Sequence, residues 1–211
     1  MTKCFTYVRF LRASVLLCLS FSFALLAAVQ EEEHVALQKG SVLTTTKKIQ
    51  GWAYDQVTSK GVVDAPLKTV LHVLRDFGHY NEFIPNVVES RILKEEPSGT
   101  RYFSKVNMPW PVSDISYECL ATPLKEGHGF TFELVPGTGI GMKDFRGSWV
   151  LSSFDNDPNR TLAVYTLSYV PAKNYAPWIV KMGSKHTIEK NIDAIRDRIK
   201  KLGSAASKKP A

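Results

Sequence analysis

Apolar residues follow two rhythms along this chain. Near its end, Ile188, Ile192, Ile195, Ile199 and Leu202 recur at intervals of four, three, four and three residues, which puts them all on one stripe of an α-helix. Pro177 suits the first turn of that helix and Gly203 its far end. Asp193 with Arg196, and Asp197 with Lys201, stand at the spacing of surface ion pairs. Followed back toward the amino end, the same face turns small and polar through Asn191, Thr187, Ser184 and Gly183 to Val180. The lower half of the helix thus reads as core, and the upper half leaves room beneath it.

Upstream the period is two. Val-, Thr- and Ile-rich runs at 41–50 and 52–63, punctuated by Gly51 and Gly61, read as two short strands. Asp64, Ala65 and Pro66 then offer a helix start, and Leu67, Val70, Leu71 and Leu74 form an amphipathic stripe. Phe77, Tyr80, Phe83 and Ile84 extend it into a second short helix that stops at Pro85. Strand follows strand after that: 87–94 and 100–106 about Pro97, Ser98 and Gly99, then alternating runs at 115–122 and 130–134. The last pair, 143–153 and 160–169, flanks the turn-rich stretch from Asp155 to Asn159 and carries apolar residues on both parities, so both faces should be covered or one should face a cavity.

The element order predicts an α+β fold: a curved antiparallel β-sheet wrapped around a long C-terminal α-helix, with two short helices after the first strands. A single helix about 10 Å wide cannot fill the concave side of such a sheet, so a ligand-sized hollow is expected between them.

Composition changes the picture only at the ends. Lys3, Arg9 and Arg12 precede an uncharged run at 13–29 that closes on Ala27 and Ala28 before Glu31, Glu32 and Glu33, the order of a secretory signal. Residues 1–28 are therefore expected to be a signal peptide or, alternatively, an uncleaved N-terminal anchor. Residues 29–40 are expected to be a short linker, 41–203 the folded domain and 204–211 a flexible basic tail. This implies an exported protein, periplasmic or secreted. Losing the segment removes three positive charges and lowers the formal net charge from +7 to +4, too modest for nucleic-acid binding without a basic-aromatic stripe. Cys4 and Cys18 leave with it, so Cys119 has no partner for an internal disulfide.

Around residue 110 the chain resembles a known family. The run Met108-Pro109-Trp110-Pro111-Val112-Ser113-Asp114 is similar to the approach to a central strand in START domains, the lipid-binding branch of the helix-grip superfamily. The stretches at 63–66, 74–76 and 83–85, then Gly147-Ser148-Trp149-Val150-Leu151 and Pro177-Trp178-Ile179-Val180, follow in that family's order. The resemblance spans roughly residues 41–202. It departs from the family pattern at Ile115 and Ser116, where START domains commonly carry arginine-aspartate, at Lys143, where arginine is frequent, and at Lys173-Asn174, which replace a glycine pair.

The resemblance implies a domain that sequesters one lipid or sterol in a tunnel closed by the last helix, with no cofactor. The residues expected at the ligand are Tyr102, Trp110, Asp114, Tyr117, Phe132, Phe145, Trp149, Tyr165, Met182, Thr187 and Asn191. A basic bias on the closing helix, including Lys190, Lys200 and Lys201, would favour transient contact with an anionic membrane surface. The alternative is a helix-grip enzyme, a cyclase, aromatase or hydrolase, acting on a hydrophobic substrate in the same hollow, with Asp114, His128, His186 and Tyr165 as the groups to test. The five histidines show no metal-ligand spacing. Gly137-Thr138-Gly139-Ile140-Gly141 lacks the spacing and the following helix of a phosphate loop, and reads as a loop between strands.

Overall fold

The computed structural model describes residues 28–207, except Ala53, Pro109, Pro111 and Glu126; for residues 177, 181–187 and 205–207 it describes the backbone alone. The expected signal segment lies almost wholly outside the described residues. Residues up to Lys39 and those from Gly40 onward are separate compact units. In the first, residues 28–38 are helical, where a linker was expected, and Glu31, Glu32 and Glu33 lie within that stretch.

The second unit is one eight-stranded antiparallel sheet with helices. Its strands are β1 Leu43–Lys47, β2 Gln56–Val63, β3 Val87–Glu96, β4 Gly99–Val106, β5 Ile115–Pro123, β6 Gly129–Leu134, β7 Met142–Phe154 and β8 Asp157–Pro171, in the spatial order β1-β2-β8-β7-β6-β5-β4-β3. From β3 to β8 the chain is a simple meander. β2 pairs with β8, however, and β3 lies at the opposite edge. The segment between them must therefore cross the whole sheet. It does so through α1 Leu67–Leu74, a 3₁₀ turn at Phe77–His79 and α2 Tyr80–Phe83. Pro66 opens α1 without a side-chain cap. Asp64, expected to help start the helix, instead accepts a hydrogen bond from Arg160 Nε at 3.1 Å.

The β7–β8 connection is tighter than the polar stretch suggested. Asp155 and Asn156 both have positive φ, 54° and 56°, as a two-residue type I′ hairpin requires, and Pro158 and Asn159 already belong to β8. Along β8, Thr161, Ala163 and Tyr165 are buried while Leu162 and Val164 are only half-buried; on β7, Val150 is exposed. One face of this pair is core and faces the cavity described below through Phe145, Trp149, Tyr165, Leu167 and Tyr169, the second of the two arrangements expected, and the other face meets solvent.

The long helix α3, Pro177–Ser207, lies against β2, β8, α1 and α2. Ile188, Ile192 and Ile195 are almost completely buried. The stripe fades at its end, where Ile199 is partly covered and Leu202 is exposed. Gly203 does not stop the helix: glycine inside a helix costs about 1 kcal/mol relative to alanine, a penalty and not a block. The following turn forms, with the Ser204 hydroxyl donating to the Lys201 carbonyl at 2.9 Å.

Two arginines hold the helix from opposite sides. Arg196 donates from Nε and Nη2 to the carbonyl of Val62 on β2, at 2.9 and 2.7 Å, and from Nη1 to Asp193 at 2.8 Å. Arg198 reaches the α1–α2 segment, with Nη1 2.8 Å from Glu82 and its guanidinium over the Phe83 ring.

Gly61 on β2 has a specific reason to lack a side chain. A Cβ there would stand 2.8 Å from Cγ2 of Ile192, a branch atom with no freedom to move aside. Gly61→Ala is therefore expected to destabilise the fold by about 1–3 kcal/mol, the usual cost of overpacking. Pairing it with Ile192→Ala should remove most of that increment in urea titrations. Simple additivity of the two changes would show that the helix does not bear on Gly61.

Candidate functional site

Between the concave face of the sheet and α3 lies a cavity of about 110 Å³. Parity on the strands decides what faces it. Tyr102 and Val106 come from β4, Ile115 and Tyr117 from β5, Phe130 and Phe132 from β6, Phe145 and Trp149 from β7, and Tyr165, Leu167 and Tyr169 from β8. On each strand the chosen residues are two or four apart, as side chains on one face must be. The crossing segment adds Leu74 and Tyr80, and the stretch beyond it Ile84, Pro85 and Val87. Met108 sits at the edge, and α3 contributes Asn191.

The floor is a connected aromatic surface. Trp149 and Tyr165 are stacked, their centroids 4.2 Å apart and their planes at 10°. Phe132 contacts both Tyr165 and Phe145, and Phe145 packs on Tyr117 at 4.8 Å. Under the crossing segment Phe77 stacks on Tyr102 at 4.5 Å and meets Phe130 edge-on at 5.3 Å. Such rings fix the wall's shape, because each is held by at least one neighbour.

Among the described residues the lining of the hollow is uncharged: its polar members are the phenols and Asn191, with no lysine, arginine, histidine or carboxylate. Burial pushes the pKa of Tyr80, Tyr102 and Tyr117 well above the ordinary phenol value, and raises those of Tyr165 and Tyr169 as well. Behind the wall, Cys119 is fully buried and burial likewise pushes its thiol up, so it stays protonated and unreactive. The Tyr80 hydroxyl donates to the carbonyl of Leu74, and that of Tyr169 reaches the Gly141 carbonyl at 3.5 Å.

Three loops beside the cavity edge are tied to one another. The Ser113 amide donates to the Tyr175 phenol at 3.1 Å, Lys173 Nζ reaches Ser113 Oγ at 3.2 Å, and the Ala172 amide donates to Gly141 at 2.9 Å. Ile140 exchanges two backbone hydrogen bonds with Ser116, at 2.8 and 3.1 Å. Thr138 bonds Val135 and the backbone of Glu118. The glycine-rich loop is thus pinned to β5. The same three loops expose large apolar side chains: Trp110 is 93% exposed, Ile140 68% and Trp178, in the first turn of α3, 65%.

Of the residues expected at the ligand, Tyr102, Tyr117, Phe132, Phe145, Trp149, Tyr165 and Asn191 converge on the cavity. Trp110 and Asp114 do not. Trp110 lies in a turn outside the period-two pattern, so no strand directs it inward, and it faces solvent. Asp114 is exposed and accepts the amide of Met108 at 2.9 Å, closing the base of that turn. The side chains of Met182 and Thr187 lie outside the described residues. His128, considered as a catalytic group, is exposed in the β5–β6 connection. Sequence reading missed Val106, Ile115, Phe130, Leu167 and Tyr169 as lining residues. Parity would have found most of them, since Val106 is four residues from Tyr102, Ile115 two from Tyr117 and Tyr169 four from Tyr165.

The sequence model of the family described as polyketide cyclase / dehydrase and lipid transport matches residues 63–196. No curated protein matches significantly. Among solved structures, the chain is similar to a STAR-related lipid transfer protein from Xanthomonas axonopodis, with 20% identity and a TM-score of 0.66 over 76% of this chain and 94% of that one. It is also similar to the Zhui aromatase/cyclase from Streptomyces sp. R1128, with 16% identity and a TM-score of 0.62 over 72% and 96% of the two chains. Human STARD10 aligns at 14% identity with a TM-score of 0.65, over 80% and 73%. At such identities the likeness establishes the fold.

The raised phenol pKa values set an alkaline limit. A phenol whose folded-state pKa lies above its unfolded value stabilises the fold fully below the unfolded pKa of about 10, and that contribution is lost as pH rises toward the folded value. Stability in urea should therefore fall above about pH 10. Absorbance at 295 nm should show Tyr80, Tyr102 and Tyr117 ionising only as the fold opens; smooth ionisation of every tyrosine in the intact fold would contradict their burial.

Proposed function

Because the chain belongs to the polyketide cyclase/dehydrase and lipid transport family and has the helix-grip fold of START domains, we propose that it binds one hydrophobic molecule, a lipid or sterol, in the cavity under α3 and carries or senses it. The observation that supports this reading best is the wall itself, aromatic and aliphatic with no ionised group among the described residues. Removing several hundred Å² of apolar ligand surface from water is worth on the order of 10 kcal/mol before ordering costs, at about 25 cal/mol per Å². Affinity of that origin needs no charged anchor. At about 110 Å³ the free space holds a ring or a short chain, less than the roughly 300 Å³ of a fully formed small-molecule site. A larger guest enters as the rim and the upper part of α3 give way.

Export belongs to the same proposal, supported by the basic, apolar and small-residue order of residues 1–28. So does transient docking on an anionic membrane. Trp110, Ile140 and Trp178 offer apolar anchors of the kind that settle at the lipid headgroup level, and exposed Lys190, Lys200 and Lys201 supply charge on the closing helix.

The similarity to an aromatase/cyclase supports a second reading, catalysis on a hydrophobic substrate in the same hollow. Of the groups considered for it, Tyr165 lies in the cavity. Its raised pKa keeps the phenol protonated, so it could donate a hydrogen bond or a proton but not act as a base at neutral pH.

Native mass spectrometry of the protein from its own compartment should show one bound lipid per chain, and the delipidated protein should take up lipid from liposomes without chemical change. A ligand-free mass with no uptake would refute the carrier reading; a released product whose formation stops in Tyr165→Phe would establish the enzymatic one. In vesicle flotation with anionic phospholipid, Trp110→Ala combined with Trp178→Ala is expected to reduce membrane association several-fold, and unchanged flotation would remove these residues from docking.

A further inference from the structure

Asn191 is the one amide among the residues lining the cavity, and it is 7% exposed. It sits on α3 between the fully buried Ile188 and Ile192. Its Oδ1 is buried and has no hydrogen-bond partner among the described residues. A buried acceptor left in that state carries its full desolvation cost, and folded proteins rarely keep one without a use.

Of the other phenols in the wall, Tyr80 and Tyr169 are bonded to backbone carbonyls. Tyr165 interacts with Asn191 itself. Oδ1 is the atom of this amide that is left to the ligand.

We propose that Asn191 Oδ1 and the Tyr165 hydroxyl form a recognition site for an alcohol, so that the ligand is an uncharged lipid that enters with its hydroxyl leading. The Tyr165 hydroxyl has a proton to give; Asn191 Oδ1 has a lone pair to offer. An alcohol meets both with one oxygen, accepting from the phenol and donating to the amide. A ketone or ether accepts but cannot donate, and leaves Oδ1 unpaired. An ammonium or phosphate would bring an ionised group into a neutral wall with no counter-charge among the described residues. Stacking on Trp149 holds the Tyr165 ring in place, so the pair is fixed before the ligand arrives.

This inference rests on the carrier reading and is tested apart from it by titrating the full-length chain, freed of bound lipid, with decyl alcohol, decyl methyl ether and methyl octyl ketone in a calorimeter. The alcohol is expected to bind about tenfold tighter than the other two, the weight of one buried hydrogen bond. Asn191→Leu should reduce alcohol affinity to that of the ether and leave the ether's own affinity unchanged. Tyr165→Phe should weaken all three ligands, since each accepts from the phenol. Equal binding of all three by the unaltered protein would overturn the alcohol site and leave the carrier reading standing, and a preference for the ketone would show that the amide presents its N–H instead. Failure to bind any of the three would overturn both. The comparison among ligands on the unaltered protein decides the matter even if a variant does not fold.

Discussion

The arrangement depends on one constraint: a single helix has to bury an isoleucine stripe against a sheet too broad for it to cover. Ile192 presses so close to β2 that only glycine fits opposite, at position 61. Arg196 and Arg198 then fasten the same part of the helix to β2 and to the α1–α2 segment. All of these contacts belong to the lower half of the helix. Asn191, in the same stripe, is the residue of this helix that the described side chains place at the residual space above the sheet.

Topology determines what surrounds that space. Since β2 and β3 lie far apart in the sheet, the chain between them has to travel across its concave side, and this brings Leu74 and Tyr80 over the cavity as a second cover beside α3. The crossing is stabilised where it passes over the sheet, by Phe77 stacked on Tyr102 and by the Ser90 hydroxyl bonded to the Phe77 carbonyl. The pocket is therefore roofed by two elements remote in sequence. Movement of either one relative to the sheet changes its volume.

Much of this was legible in the sequence because strands and helices have fixed periods. Each run alternating with period two became a strand within a few residues of its expected limits, and the isoleucine spacing identified the buried face of α3. Position by position, the limits of that logic are clear. Trp110 between two prolines invited an inward assignment, but parity exists only within strands, and outside one an aromatic ring has no prescribed direction. Gly61 read as punctuation because a sequence does not show that a helix returns 131 residues later to rest on it. Arg196 was legible as the partner of Asp193, three residues away, but not as the clamp on Val62, which needs the tertiary fold. The size of the hollow could not be read at all, since it is the difference between two large volumes.

The departure from the START pattern at Ile115 gains meaning from its position. Where that family commonly has an arginine, this chain has an isoleucine that is buried and lines the cavity, while Ser116 beside it points to the other face and uses its backbone to hold Ile140. The substitution removes a charge from the wall. A guanidinium there would need an anion, supplied by a neighbouring carboxylate or by the ligand, and neither requirement exists once the position is aliphatic. Under the carrier reading proposed above, a guest in such a wall would be selected by shape and by the few hydrogen-bonding atoms that remain. In a wall so nearly apolar a single unpaired oxygen has unusual weight, because no side chain among the described residues competes for it.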